Sequence, residues 1–252
     1  MPSLRFIQFT DMHLYGDPDG RLRDVATLPA FEAVVEHAAR RFPARDGILV
    51  TGDLVQDDPD GYQHVRAVLG GSAVPVLCLP GNHDLPGPMA AALKDAPFVI
   101  GGSHPAGDWR IVLLDSWIAN AAAGRLGTSQ LAELDTQLAE HKGQHVLVCL
   151  HHQPIEMQSR WLDAVGLEDR AALNQVIARH PHVRGVLWGH VHQALDTFVG
   201  GIRYMATPST CTQFVPLRDD FAVDPRPPAY RVLELAQDGT IATEVVWLDR
   251  AA

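Results

Sequence analysis

Five short polar motifs, each placed directly after an apolar run, constrain this chain of 252 residues more than any other feature. The runs have the length of buried strands, and side chains that follow parallel strands collect at one edge of a layered α/β sheet. The predicted strands are Leu4 to Phe9, Gly47 to Val50, Val74 to Leu79, His145 to Leu150 and Arg184 to Trp188. The sequence therefore predicts a fold that brings the five motifs into one crevice.

The motifs carry seven side chains with metal-binding atoms: carboxylates, imidazoles and one amide. They are Asp11, His13, Asp53, Asn82, His151, His190 and His192. Residues two apart on an extended chain point to the same face, so the paired residues of the first and last motifs are each predicted to chelate one ion. Such ligands suit Mn, Fe or Zn better than the metals that prefer thiolates. We therefore predict a site for two metal ions.

Hydrophobic periodicity predicts helices between the strands and hairpins after them. One helix carries Leu28, Phe31, Val34, Val35 and Ala38, and another carries Leu131, Leu134 and Leu138 behind Thr128 or Ser129 as its N-cap. From about residue 193 the chain is β-rich, with hairpins predicted around Gly200-Gly201 and Asp238-Gly239. This order indicates an α/β protein, a four-layer α/β/β/α sandwich of two mixed sheets flanked by helices.

Composition limits the possible partners and locations. With 46% hydrophobic residues the chain can bury a full core, and we expect residues 1–252 to form a single domain. A formal charge of −10 disfavours nucleic acid but permits a small anionic substrate beside bound cations. The absence of a signal-like segment, or of a run near 18 apolar residues, predicts a soluble cytoplasmic protein without a membrane partner. The three cysteines are expected to be reduced, and a homo-oligomer remains open.

Three stretches next to the motifs are predicted to be irregular: Leu85 to Pro97, Ile118 to Thr128 and Pro216 to Pro228. Loops on a rigid scaffold often select the substrate, but these segments would serve equally as solvated connections or as an oligomer contact. Trp117 and Trp161 lie in or near such loops, so either could stack on a base, although packing is the commoner use of tryptophan.

The five motifs read D-x-H, G-D, G-N-H-D, H and G-H-x-H, and from about Thr10 to His192 they resemble the calcineurin-like metallophosphoesterase family. Leu22 to Thr27, Thr207 to Phe214 and Tyr230 to Leu235 are similar to the bacterial class III 3′,5′-cyclic AMP phosphodiesterases. The resemblance implies hydrolysis of 3′,5′-cyclic AMP to 5′-AMP by a hydroxide that bridges two divalent or trivalent metal ions, Fe, Mn or Zn. The alternative substrates are glycerophosphodiesters or other small phosphodiesters.

The resemblance also implies a role for each motif residue. Asp11, His13 and His192 would hold one ion. Asn82, His151 and His190 would hold the other, and Asp53 would bridge the two. His83 would stabilise the transition state or protonate the leaving oxygen, with Asp84 orienting it. Independently of the resemblance, His152 is adjacent to His151 on an extended chain, so it is expected to point away from the ligands and to support them or line the pocket. A non-catalytic scaffold, as in the retromer subunit of this fold, would require damaged ligand positions, and all seven are present.

Overall fold

The protein is described by a computed structural model that covers residues 3–248. The strands are β1 Leu4–Phe9, β2 Arg21–Leu22, β3 Val25–Ala26, β4 Gly47–Thr51, β5 Val76–Leu79, β6 Phe98–Ile100, β7 Gly102–Ala106, β8 Trp109–Leu113, β9 His145–Cys149, β10 Val183–Trp188, β11 Leu195–Val199, β12 Ile202–Ala206, β13 Gln213–Phe214, β14 Val223–Asp224, β15 Ala229–Leu235 and β16 Ile241–Trp247. The helices are α1 Thr27–Arg41, α2 Tyr62–Leu69, α3 Pro86–Ala92, α4 Gly127–Glu140, α5 Arg160–Asp163 and α6 Arg170–Ala178, with a 3₁₀ turn at Pro59–Gly61.

Two six-stranded mixed sheets form the centre of the fold. In the first, β1, β4, β5 and β6 are parallel, and the antiparallel hairpin β15–β16 extends it beyond β1. In the second, β8, β9, β10 and β12 are parallel, while β7 and β11 are antiparallel edge strands. The helices α1 to α6 lie in crossover connections between parallel neighbours, whereas the parallel strands β10 and β12 are joined through β11.

Three apolar layers confirm the predicted four-layer sandwich. The middle layer lies between the sheets and contains Phe6 and Leu49 of the first sheet with Ile111, Leu147 and Met205 of the second. A second layer joins the outer face of the first sheet to α1, α2 and α3, and a third joins the second sheet to α4, α5 and α6. Each sheet is therefore covered on both faces, as its continuous apolar strands require.

The predicted hairpins are confirmed, and so are the two amphipathic helices. The start of the second helix was wrong, because α4 begins at Gly127 and contains Thr128 and Ser129. The side chain that caps it comes from a distant part of the chain: the carboxylate of Asp169 accepts the N–H groups of Leu126 and Gly127, at 2.8 Å for Gly127. A tertiary contact has replaced the local cap that the sequence suggested.

The segment Leu85 to Pro97, predicted to be irregular, contains the helix α3. The three cysteines are free and buried, as the sequence predicts. No helix among residues 3–248 is both long enough and apolar enough to cross a lipid bilayer.

A buried guanidinium ties the two sheets together below the motif edge. Arg231 of β15 is 2% exposed, and its Nη2 donates to the carbonyls of Leu195 and Ala206 in the second sheet. Its Nη1 donates to Thr243 Oγ1 in the first sheet, at 3.1 Å. Burial lowers the pKa of Arg231 to about 10, so the group remains charged at neutral pH. A planar fork with several donors can satisfy acceptors on both sheets at once.

We expect Arg231→Lys to lower the free energy of unfolding by about 2–4 kcal/mol, because one ammonium cannot reach acceptors on both sheets and buried carbonyls lose their donors. Urea denaturation measures this change. The control is Arg184→Lys, an exposed arginine that donates from Nε to the Gly239 carbonyl. Equal stability of the two variants would contradict the assigned role of Arg231.

Candidate metal centre

All seven predicted ligands lie together at the carboxyl ends of β1, β4, β5, β9 and β10, as the strand pattern predicted. Asn82 is half-buried and the other six are buried, including Asp11 at 0% and Asp53 at 2% exposure. Two carboxylates shielded from water need compensating positive charge or hydrogen bonds. The arrangement therefore has the composition expected of a cation site.

The backbone brings these side chains together in a way that the sequence did not reveal. Five of the seven residues have positive φ: Asp11 (55°), His13 (50°), Asp53 (51°), His190 (65°) and His192 (48°). They lie beyond the last residues of their strands, so the argument from alternating strand faces was wrong even though the side chains converge. Left-handed φ is rare for residues other than glycine and clusters at functional sites.

Hydrogen bonds between the motif loops hold this backbone in place. The N–H of Asp11 donates to the Gly52 carbonyl, and the N–H of His13 donates to the Asp53 carbonyl, both at 3.0 Å. The Asp11 carboxylate in turn accepts the N–H of His190. The first, second and fifth motifs are thus bonded to one another directly.

One group of donors contains Asp11, His13 and His192. The Nε2 atoms of the two histidines are 3.1 Å apart, and His192 Nε2 is 3.3 Å from Asp11 Oδ1. One potential ligand atom from each of the three residues fits within 4.8 Å of the others. These three side chains can hold one ion.

A second group surrounds His151. Its Nε2 lies 3.2 Å from Asn82 Oδ1 and 3.3 Å from Asp53 Oδ2, and the His190 ring centroid is 5.0 Å from that of His151. Asp53 Oδ2 is also 3.8 Å from His13 Nε2 in the first group. Asp53 therefore lies between the two groups, where a carboxylate can contact both ions.

Carbonyl contacts determine which nitrogen of three histidines faces the cluster. Thr51 O lies 2.8 Å from His151 Nδ1, Thr212 O lies 2.7 Å from His192 Nδ1, and Val165 O lies 3.1 Å from His190 Nε2. A carbonyl only accepts, so the contacting nitrogen carries a proton, and in the neutral imidazole the other nitrogen keeps its lone pair. Histidines that bind metals are oriented in this way, and the donor set fits two metal ions.

The pKa values of the cluster follow from burial and mutual charge. Burial lowers the pKa of His13 to about 4 and that of His190 to about 3, which keeps both imidazoles neutral as ligation requires. Burial opposes charge on His151 as well, but the carboxylate of Asp53 raises the pKa of His151 to about 9, so a metal ion bound there would have to displace the proton on Nε2. Burial would raise the pKa of Asp53, yet the charge of His151 holds it well below its usual value.

Asp84 does not hold His83 as the resemblance implied. Its buried carboxylate accepts the N–H groups of Leu54 (3.1 Å) and Gly81 (2.8 Å) and the hydroxyl of Tyr62 (2.9 Å). Burial, followed by the nearby charge of Asp53, raises the pKa of Asp84 to about 7. Adjacent side chains in this turn diverge, so Asp84 joins the second and third motif loops instead.

The His83 ring is held by the segment that follows the second motif. His83 Nδ1 donates to Asp57 Oδ2 at 2.9 Å, and Gln56 Nε2 donates to the same oxygen at 3.0 Å. Burial would lower the pKa of His83, but the charges of Asp53 and Asp57 raise it overall. Sequence reasoning missed both partners. Only the positions of Gln56 and Asp57, three and four residues after Asp53, could have indicated that they lie near the site.

His152 was expected to point away from the ligands, and the structure places it beside them. Its ring centroid is 5.0 Å from that of His151 and 4.7 Å from that of His190. His152 Nδ1 contacts Ser116 Oγ at 2.7 Å. The expectation was wrong because β9 ends at Cys149, so strand alternation does not apply to this pair.

Two motif glycines leave room for the cluster. Gly52 has φ of 95°, and a Cβ there would collide with the His151 ring. A Cβ at Gly189 would overlap Thr10 Oγ1 and the Asp11 carboxylate. The glycines are thus required by close approach and not by turn formation alone.

A cavity of about 320 Å³ opens onto the cluster, and its walls differ in character. The polar wall contains residues such as His13, Asp53 and His83, and the aromatic wall contains Trp161, Phe214 and Phe221. Of the aromatic residues in the cavity, the sequence analysis had considered only Trp161. Phe214 ends the Thr207 to Phe214 stretch and Phe221 lies in the Pro216 to Pro228 segment, so the sequence indicated these stretches but not the individual rings.

Comparisons with known proteins identify the family to which the chain belongs. A model of the calcineurin-like phosphoesterase family matches residues 4–194. Over 249 residues the chain is 39% identical to the 3′,5′-cyclic adenosine monophosphate phosphodiesterase CpdA of Escherichia coli (strain K12), which covers 96% of this chain and 89% of the relative. It is 34% identical over 239 residues to a 3′,5′-cyclic-nucleotide phosphodiesterase of Nostoc sp., with 94% and 90% covered.

Solved structures agree on the fold. The crystal structure of a dimetal phosphatase from Danio rerio superposes with a TM-score of 0.67 at 17% identity, covering 92% of this chain and 95% of that one. At this identity the likeness concerns the fold alone. The family model and the sequence relatives carry the assignment, and the protein belongs to the calcineurin-like phosphoesterase family.

Proposed function

We propose that this protein hydrolyses 3′,5′-cyclic AMP to 5′-AMP at the cavity beside the seven clustered donors. The observation that carries the proposal is the arrangement of these donors in two groups that share Asp53, at the base of a cavity large enough for a small ligand. The named activities of relatives that align over nearly the whole chain support the choice of cyclic AMP.

The proposed ligands of one metal ion are Asp11, His13 and His192, and those of the other are Asn82, His151 and His190, with Asp53 shared. Oxygen and imidazole donors support Mn, Fe or Zn as the metals. When bound, such a pair of ions supplies a water-derived nucleophile at neutral pH and offsets the charge on the phosphoryl oxygens. The carbonyls of Thr51, Thr212 and Val165 keep three histidines in the tautomer that these roles need.

His83 is the proposed donor of a proton to the departing 3′-oxygen. The residue lines the cavity, and its ring centroid is 5.2 Å from that of His13. Asp57 accepts from its Nδ1, which orients the ring and leaves Nε2 for the substrate. Asp84 is proposed as a positioning residue, because its carboxylate fixes the loops that carry Asp53 and Asn82.

Hydrolysis of glycerophosphodiesters is the alternative, since the same donors would serve any small phosphodiester. A scaffold role receives no support, because all seven donor positions are intact and converge.

We also propose that the chain acts as one domain, since the apolar layer between the sheets draws residues from Leu4 to Ile241. Three free cysteines support action in a reducing compartment such as the cytoplasm. The negative net charge supports a small anionic ligand over nucleic acid. A homo-oligomer remains a hypothesis that gel filtration with light scattering tests.

The proposal is tested by kcat/KM of the manganese-loaded protein for 3′,5′-cyclic AMP and for glycerophosphocholine, with products identified by chromatography. We expect a preference of at least about 100-fold for the cyclic nucleotide, with 5′-AMP as the sole nucleotide product, because substrate-specific contacts of about 3 kcal/mol give that ratio. Preference for the glycerophosphodiester would establish the alternative.

Asp53→Ala is expected to lower the content of both metals, from about two ions per chain to below one, because Asp53 lies between both donor groups. Elemental analysis after dialysis measures the content. Asp108→Ala removes an exposed aspartate outside the cluster and should leave it unchanged. Loss of a single ion would refute the shared position of Asp53.

His83→Ala should retain both metals and lower kcat for cyclic AMP by about 10²–10⁴-fold, the usual contribution of a positioned acid. A 4-nitrophenyl diester, whose leaving group needs no proton, serves as the matched substrate and should lose much less. An equal loss on both substrates would show that His83 does not protonate the leaving oxygen.

A further inference from the structure

Three aromatic side chains, Trp161, Phe214 and Phe221, form one wall of the cavity. Phe221 packs against both Trp161 and Phe214, with ring centroids 5.2 Å apart and interplanar angles of 81° and 68°. Trp161 and Phe214 are 5.3 Å apart. Phe221 is 40% exposed and the other two are half-buried. Aromatic side chains left partly open in a cavity are suited to stacking a planar ligand.

This wall is joined directly to the proposed metal ligands. The ring of Phe214 stacks on that of His192, with centroids 4.1 Å apart and planes 10° from parallel. One ligand of modest size can therefore reach the metal-binding residues and the aromatic rings together. A cyclic nucleotide has such a shape, because its base extends directly from the fused ribose and phosphate rings.

A strained hairpin places a guanidinium against the same wall. β2 and β3 are joined by Arg23 and Asp24, both with positive φ (49° and 67°), although neither is glycine. Arg23 lines the cavity, and its guanidinium lies 4.8 Å from the centroid of the Phe221 ring. Among residues 3–248 no carboxylate forms an ion pair with Arg23.

The charge of Arg23 discriminates between the candidate substrates. Aromatic rings alone would also suit a quaternary ammonium such as choline. An uncompensated cation over one of the rings repels a cationic headgroup, whereas a neutral planar base can stack beside both the rings and the guanidinium. The wall therefore favours a nucleobase.

The segment Pro216 to Pro228 carries Phe221 and is anchored on its own chain. The carbonyl of Asp219 accepts the N–H of Trp161 at 3.3 Å, and its carboxylate pairs with Arg160 at 3.0 Å. The hydroxyl of Ser159 donates to the Arg218 carbonyl. These contacts to α5 and the residue before it hold Phe221 beside Trp161.

We propose that Trp161, Phe214 and Phe221, with Arg23, form the subsite that binds the base of the substrate and selects a cyclic nucleotide over other small phosphodiesters. This assignment rests on the proposed function. It makes Trp161 and Phe221 specificity-determining residues that lie outside all five motifs.

The test compares 3′,5′-cyclic AMP with 1-deoxyribose 3,5-cyclic phosphate, which has the same cyclic phosphodiester but no base. Trp161→Leu and Phe221→Leu keep an apolar side chain and remove the aromatic face. Each is expected to lower kcat/KM for cyclic AMP about ten-fold, chiefly through KM, and to change that for the base-free compound less than about two-fold. Metal content and far-ultraviolet circular dichroism should match the wild type.

Phe198→Leu provides the control, because Phe198 is an exposed aromatic with an arginine, Arg203, 5.5 Å from its ring centroid, and does not line the cavity. It should leave both activities unchanged. Equal losses on both substrates in the Trp161 and Phe221 variants, or no loss on either, would overturn the subsite. A wild type that opens the base-free ring but not cyclic AMP would instead refute the proposed function.

Discussion

The site depends on two buried carboxylates, Asp11 and Asp53, with which no arginine or lysine among residues 3–248 forms an ion pair. Asp11 and Asp53 are at most 2% exposed, and the charged forms they need at neutral pH are stabilised by the surrounding imidazoles. The raised pKa of His151 is the counterpart of the lowered pKa of Asp53. Cations held by the same donors would satisfy both carboxylates, which is why this arrangement favours metal binding over a purely structural network.

The fold provides the rigidity that such a site requires. Five proposed ligands have left-handed backbone, a conformation that costs free energy and persists only where the surroundings determine it. This backbone is held by hydrogen bonds between the motif loops, by the Asp84 carboxylate and by the close packing at the glycines. Beneath the site, Gln8 donates to Thr51 and to the Trp188 carbonyl, so the two sheets are bonded to each other at the depth of the ligands as well as through Arg231.

The residues proposed to act on the phosphodiester and those proposed to select the substrate line different parts of one cavity. The polar wall comes from loops at strand ends, which the core positions, and the aromatic wall comes from α5, β13 and the segment after it, which surface contacts position. A phosphodiester of any kind would meet the same polar wall. Selection of the substrate therefore depends on Trp161 and Phe221, which can change without disturbing the ligands, whereas Phe214 stacks on His192.

The sequence by itself determined the layered α/β architecture and the seven residues that converge, because apolar runs followed by polar motifs are local patterns that a sheet edge brings together. Tertiary structure alone decided how they converge. The chain leaves the strands before these residues, so strand periodicity could not predict their conformation. This explains the left-handed loops, the position of His152 and the partners of His83. The cap of α4 by Asp169 and the aromatic wall join residues far apart in sequence, so no local pattern could predict them.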